Sequence, residues 1–388
     1  MTRLKSRQIV MELGSNRRSS ALVLGPDQTV ELRADVAGRP SGRKHLDTLA
    51  APENMLSSLT NSFTTPVLFV IFNRADLTRR VFERIREARP RQLFIAADGP
   101  RPNRGNEREL CADTRLAVSE IDWPCDVQRL YHESNLGCKV AVSSAITWFF
   151  ANVEEGIILE DDCLPDPSFF PYCAELLERY RGQTDVAVIG GSQLLSERRR
   201  PSYRTSYYFT KYPHIWGWAS WRRTWQNYDP TLADWNGNSN RLDRIANCRV
   251  RRRFARKFDA VKAGINDTWD YQLVHQCLVS GGLSIVPNIN LVENIGFDER
   301  ATHTLDPAPQ GLVFEAGKMA FPLVHPNELV VDEKSDIQTE RWVYRVPTNL
   351  WVSLRWSLEK RLDRLSQKLR RSGRSIRGKG LPKESSNK

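Results

Sequence analysis

From Pro66 onward, apolar and polar positions fall into alternating blocks. PVLFVIF is a short continuous apolar run. The segment ADLTRRVFERIREA follows it with helical spacing, Val81, Ile85 and Ala88 sharing one face and Asp76 standing where it would cap the first turn. RQLFIAADGPRPNRG repeats the apolar run and breaks it at a Gly-Pro turn. DVQRLY (126–131) alternates like a strand, residues 140–151 are helix-like, and residues 156–159 run straight into three acids. Strand-length runs alternating with helical patterns predict an α/β fold, a mostly parallel sheet with helices on its faces. Ligands of such sheets sit beyond the carboxyl ends of the strands. Three polar clusters are expected there: Asn73-Arg74, Asp98-Gly99 and Glu160-Asp161-Asp162. Residues 1–62, punctuated by GRPSG and holding only brief apolar runs, read as a poorly ordered or loosely attached leader.

Composition narrows the function classes. In 388 residues, 40% hydrophobic and 27% charged content is enough for one large globular domain or two smaller ones. No stretch approaches the roughly 18–20 apolar residues of a membrane span. The first residues lack the apolar core of a secretory signal. Seven cysteines, scattered and without a CxxC pair, suit neither a disulfide framework nor a zinc ribbon, so a reducing, cytoplasmic setting is expected. Residues 351–388 hold 12 Lys/Arg against 3 Asp/Glu, nine of the chain's +11 net charges. The body is therefore nearly neutral, and no specific nucleic-acid partner is expected. Trp351, Leu354, Leu358, Leu362, Leu365 and Leu369 form a helical stripe, with Arg355, Arg361, Arg364, Lys368 and Arg371 on other faces. Residues 351–371 thus read as a basic amphipathic helix suited to an anionic membrane surface, or as one docked on its own domain or paired in a coiled coil.

Chemistry concentrates in the acid triplet. Three adjacent carboxylates at a strand end repel one another and are partly desolvated, so a cation or a set of donors must offset the cost. Mg²⁺ or Mn²⁺ takes carboxylate and phosphate oxygens; one direct carboxylate would suffice to hold a nucleotide diphosphate. The plainer alternative is a solvated acidic turn. Residues 212–235 carry five tryptophans, whose rings suit the apolar faces of sugars. Trp221 and Trp225, four apart on an expected helix, are assigned to the core. In RVRRRFARKFDAVKAG, Arg251, Arg252, Arg253, Arg256 and Lys257 could neutralise a pyrophosphate or an anionic acceptor, although Phe254, Phe258 and Val261 make a solvated amphipathic helix the plainer reading. An inverting sugar transfer needs one carboxylate to take the acceptor's proton. Asp270 and Glu293 are the candidates in this half, although Asp267 or Asp270 could merely cap a helix.

EGIILEDDCLPDPSFFPYC resembles the metal-binding segment of the GT-A glycosyltransferases, above all the N-acetylglucosaminyltransferase I family. NLGCK, ILEDDCLP and IWGWASWR resemble segments of bacterial HlpA-like (hemolytic protein-like) glycosyltransferases. The likeness runs over about residues 64–305 with the motifs in the same order. It implies a GT-A, nucleotide-diphospho-sugar transferase fold: a Rossmann-like mixed, mostly parallel sheet with helices on both faces, here over 63–330, followed by the basic helix and tail at 340–388. It also implies Mn²⁺ (or Mg²⁺), a UDP-sugar donor such as UDP-N-acetylglucosamine, and a glycan or lipid-linked acceptor in surface polysaccharide synthesis. By that resemblance Asn73 and Arg74 contact the donor nucleotide, and Asp98 reads the uracil or its ribose. Asn135, Gly137 and Lys139 also meet the nucleotide, the lysine standing near a histidine of the animal enzyme. Glu160 and Asp161 face sugar and ribose, and Asp162 binds the metal with His303 as a late ligand. Gly217 and Trp218 line the donor-sugar pocket, and Asp270 of a Trp-Asp pair is the base. Two rivals remain: a sugar nucleotidyltransferase, whose Gly-rich loop FNRADLTRR lacks, and a non-enzymatic membrane-binding or lytic protein.

Overall fold

In the computed structural model, which describes residues 63–297 and 315–346, the first apolar run is strand β1 (Val67–Ile71), leading into helix α1 (Ala75–Ala88). Val81 and Ile85 are buried on the expected face of α1 together with Phe82. Asp76 does not cap it. The cap position is Arg74, and Asp76 lies inside the first turn, where a carboxylate still complements the helix dipole. The chain continues through β2 (Gln92–Ala97), α2 (Glu107–Leu116), β3 (Asp126–Tyr131), α3 (Cys138–Asn152) and β4 (Glu155–Glu160). Then come β5 (Cys163–Pro165), α4 (Phe169–Tyr180), β6 (Val186–Gly190), β7 (Tyr207–Thr210) and β8 (Trp218–Trp221). The short helix α5 (Arg222–Trp225) precedes α6 (Cys248–Lys262), α7 (Asp270–Ser280), β9 (Leu283–Pro287), β10 (Val292–Asn294) and α8 (Glu333–Trp342).

Eight strands form one sheet in the order β3-β2-β1-β4-β8-β6-β9-β7. The half β3-β2-β1-β4 is wholly parallel, while β8 runs antiparallel between β4 and β6 and β7 antiparallel beside β9. The fold class is α/β and Rossmann-like, a mixed sheet clad by helices on both faces. Its inner strands read as continuous apolar runs because both faces are covered. Val67, Phe69 and Ile71 pack on one side with Phe82, Ile85, Phe170 and Leu176. Leu68 points to the other side with Val142, Ile146, Phe149 and Leu273. A third core gathers Tyr212, Trp235, Phe254, Phe258, Leu278 and Val346, so the apolar face of α6 is buried as its spacing predicts.

Trp221 and Trp225 are both buried, but they do not share a helix; Trp221 ends strand β8 opposite Glu155, and Trp225 ends α5. All seven cysteines are free. Among the described residues no helix is long and apolar enough to cross a membrane. The leader 1–62, His303 and the segment 351–371 lie outside the described residues.

Candidate functional site

Parallel register sets the site. Val70 pairs with Glu160 and Ile71 with Ala97, so the chain leaves β1, β2 and β4 along one edge. Phe72–Arg74, Asp98 and Asp161-Asp162 therefore emerge side by side. They wall a cleft of about 790 Å³ whose lining also includes Asn135, Gly137, Glu160 and, from the far side, Asp270. Asn73, Arg74, Asp98, Asn135, Gly137, Glu160, Asp161, Asp162 and Asp270 thus come together as one cavity wall.

The acid triplet is a charged knot. Arg74 Nη2 donates to Asp161 Oδ1 and, at 2.9 Å, to Asp162 Oδ2. The Phe72 N–H donates to the other oxygen of Asp161 at 3.2 Å. Burial, then the neighbouring acids Asp162, Asp161 and Asp270, push the Glu160 carboxyl up to about 8. Burial also lifts Asp161, to about 6, against the pull of Arg74. One guanidinium is too little positive charge for three carboxylates in this setting. Asp162 keeps about a fifth of its side chain exposed to the cleft, and Gly296 leaves the space beside it open. A Cβ at 296 would stand 2.3 Å from Asp162 Oδ2.

The second wall is organised around Asp98. Its Oδ1 accepts the N–H groups of Gly99 and Leu136 at 2.8 and 2.9 Å, and its Oδ2 accepts the Asn135 amide at 2.8 Å. Burial pushes the Asp98 carboxyl up despite these donors. Its visible task is to hold the turn that carries Asn135 and Gly137 against the end of β2.

Asp267 holds the next step. It accepts the backbone N–H groups of Cys138 and Lys139 at 3.0 and 3.2 Å, capping α3 from far along the chain rather than a helix of its own. Gly137, at φ +82, precedes that helix; a Cβ there would meet Asp267 Oδ2 at 2.7 Å. Asp270 begins α7 at the cleft, and the Thr268 hydroxyl donates to its Oδ1.

Three expected contacts and one candidate base are placed elsewhere. Trp218 is 1% exposed, stacked on Trp269 at 5.7 Å in the core, so it does not line the cleft. Trp218 opens β8 and is buried there, while Gly217, at φ +61, turns the chain just before the strand, and the aromatic ring this segment presents to the cleft is Trp216. Gly217 is buried, its carbonyl accepting the Gly191 N–H at 2.7 Å, with Val292 and Leu159 filling the space a side chain would need. Lys139 contributes its backbone to the Asp267 cap, and its side chain is not part of the wall. Glu293 sits on β10 opposite Leu164, and its neighbour Asn294 lines the cleft instead.

The sequence reading missed four contributors. Glu107 is buried and binds Arg101 through its backbone N–H at 2.7 Å and through its guanidinium, while accepting the Asn73 amide at 3.0 Å. That network fixes Asn73 and Arg101 at the mouth. His132 lines the cleft, and its buried Nε2 has no hydrogen-bond partner among the described residues. Gly296 and Trp216 complete the set.

Among the described residues no group of three His, Cys, Asp or Glu is arranged to enclose a metal ion. The residues present fit a different kind of cation site, in which Asp162, about a fifth exposed, would supply one ligand and the remaining positions would go to phosphate oxygens and water. The unrelieved charge of the triplet is the observation that favours it.

No family model matches the chain, and no curated protein does. Solved structures do match. A UDP-glucose pyrophosphorylase complexed with UDP-glucose is 10% identical, covering 58% of this chain and 90% of its own with a TM-score of 0.30. The apo form of a UDP-glucose pyrophosphorylase is 10% identical over 59% and 93%, with a TM-score of 0.28. A 4-diphosphocytidyl-2C-methyl-D-erythritol synthase from Anaerococcus prevotii DSM 20548 is 5% identical over 42% and 76%, with a TM-score of 0.25. These values are too low to carry an argument about activity.

Proposed function

We propose that the protein is a metal-dependent, inverting glycosyltransferase that moves a sugar from a UDP-sugar, such as UDP-N-acetylglucosamine, to a hydroxyl of a glycan or lipid-linked glycan in surface polysaccharide synthesis. The observation that carries this reading is the meeting of the Glu160-Asp161-Asp162 corner and Asp270 in one cleft at the carboxyl edge of a doubly wound sheet. Asp162 would hold Mn²⁺ or Mg²⁺, which supplies charge neutralisation to a diphosphate leaving group.

The chain's own groups have distinct tasks. Arg74 holds Asp161 and Asp162 in place. Asp98 fixes Asn135 beside the donor, and the Trp216 ring offers an apolar face to a sugar. Asp270, oriented by Thr268, accepts the proton of the acceptor hydroxyl as its oxygen bonds to the anomeric carbon. The bond from that carbon to the diphosphate oxygen breaks, and its electron pair leaves with UDP. The segment 351–371 would keep the enzyme on the anionic cytoplasmic face of a membrane.

A nucleotidyltransferase reading is disfavoured by the first turn. Only three residues, Phe72 to Arg74, separate β1 from α1, which leaves no room for a Gly-rich phosphate loop. The test is Asp270→Asn. Transfer from UDP-sugar should fall by about 100-fold or more while UDP binding persists, and NMR of the first-formed wild-type product should show the inverted anomer. A retained anomer, or release of pyrophosphate from UTP as a sugar 1-phosphate is converted to UDP-sugar in place of transfer, would remove the reading.

A further inference from the structure

Beside the donor cleft lies a smaller hollow of about 400 Å³, and Lys257 lines both. Its wall is otherwise Arg249, Arg252, Arg253, Arg256 and Arg345 with the apolar Val346. The four α6 arginines follow one another at helical spacing, opposite the side that sends Val250, Phe254, Phe258 and Val261 into the core. Arg345 comes from a different part of the chain, just after α8. It sits at φ +52, an uncommon conformation for a residue with a Cβ, held by the burial of Val346 and the Val346 N–H bond to the Glu340 carbonyl at 3.0 Å. Two separate elements are thus fixed so that six cationic side chains converge.

Elsewhere on the surface, arginines find carboxylates: Arg84 with Glu87, Arg86 with Glu83, Arg181 with Glu155, and Arg222 with Glu154. In the hollow, among the described residues, no carboxylate pairs with Arg252, Arg253, Arg256, Lys257 or Arg345. Lys257 instead places its ammonium over the Tyr271 ring at 5.4 Å, next in sequence to Asp270. Like charges gathered in a concave site raise a strong positive potential, and guanidinium forks match phosphate oxygens in pairs. A single carboxylate would offset too little of this charge; a pyrophosphate ester matches it better.

We propose that this hollow binds a phosphate or pyrophosphate group carried by the acceptor, placing the sugar it bears across Lys257 and within reach of Asp270. This rests on reading the neighbouring cleft as the donor site. The same chemistry is offered by a lipid-linked pyrophosphate and by a soluble phosphorylated glycan.

The probe is inorganic pyrophosphate, titrated calorimetrically into the full-length protein in EDTA, where no cation holds it in the acidic cleft. Wild type and Asp162→Ala should bind alike, and Arg252→Gln/Arg256→Gln at least about tenfold more weakly. Mn²⁺-dependent UDP binding by the double variant should equal that of wild type. No pyrophosphate binding, or equal binding by the double variant, overturns the proposal. Loss of UDP binding in every protein, with the pyrophosphate difference intact, removes the donor reading and leaves the anion site standing. Sedimentation with phosphatidylcholine vesicles containing a polyprenyl pyrophosphate separates the sources. Pelleting beyond that with plain vesicles, lost in the double variant, supports the lipid-linked acceptor; pyrophosphate binding without such pelleting supports the soluble one.

Discussion

The acidic corner and the basic hollow are adjacent, share Lys257 through their walls, and solve the problem of like charge in opposite ways. In the corner, three carboxylates at the end of β4 are largely withdrawn from water and Arg74 pairs with two of them, Asp161 and Asp162, so part of their charge is answered from within the chain. In the hollow, the cations stand toward solvent with no carboxylate answering most of them among the described residues. Internal pairing makes the corner part of the folded structure. Its absence makes the hollow dispensable for folding and dependent on a ligand for charge balance. The expected effects of substitution follow that division.

Arg74→Ala should have the largest effect. It strands Asp161, which is 4% exposed, beside two further acids, and breaking a buried pair in this way costs about 3–5 kcal/mol. Denaturant unfolding of Arg74→Ala and of Arg74→Ala/Asp161→Asn measures it. The second variant should recover much of the loss, and equal destabilisation of both would show that the charge is not the cause.

A pH titration comes next. Glu160 and Asp161 are raised, to about 8 and about 6, so the metal-free protein holds protons there that a bound cation must displace. Mn²⁺ affinity should therefore rise as pH increases toward 8 and flatten above it, and fall on acidification. With about one proton released near pH 7, the change is roughly tenfold per pH unit. Calorimetry in buffers of different ionisation enthalpy counts the proton, and a pH-independent affinity between 6 and 8 would break the link between burial and charge.

The smallest effect belongs to the hollow. Arg252→Gln and Arg256→Gln should shift unfolding stability by no more than about 0.5 kcal/mol, with relief of like-charge repulsion favouring a slight gain. A loss of several kcal/mol in either would place these side chains in the folded framework and dissolve the contrast with the acidic corner.

Much of the acidic corner was legible because its ingredients are local. An apolar run that ends in Glu160-Asp161-Asp162 declares both a buried strand and what stands at its end, and the alternating blocks place Arg74 and Asp98 at the ends of its neighbours. Orientation was harder to read. Gly217-Trp218 looked like a pocket loop, yet Trp218 opens a strand between β4 and β6 and is buried in the core, and Gly217, at φ +61, turns the chain so that Trp216 is the ring left at the cleft. Contacts between distant residues left no trace. Nothing near Gly296 announces that Asp162 needs the space of its missing side chain, and nothing near Lys139 shows Asp267 arriving to cap its helix. The basic run at 249–257 was visible as a helix face, but its concavity depends on Arg345, brought there only by folding.

The most direct test of the donor site is calorimetric titration of UDP, with GDP and CMP as controls, into wild type and Asp162→Ala, with and without Mn²⁺. The expected result is UDP binding that requires Mn²⁺ and is weakened by about 100-fold or more in the variant. Absence of nucleotide binding under every condition, or binding indifferent to both Mn²⁺ and Asp162, would contradict a metal-dependent nucleotide-sugar site at this corner.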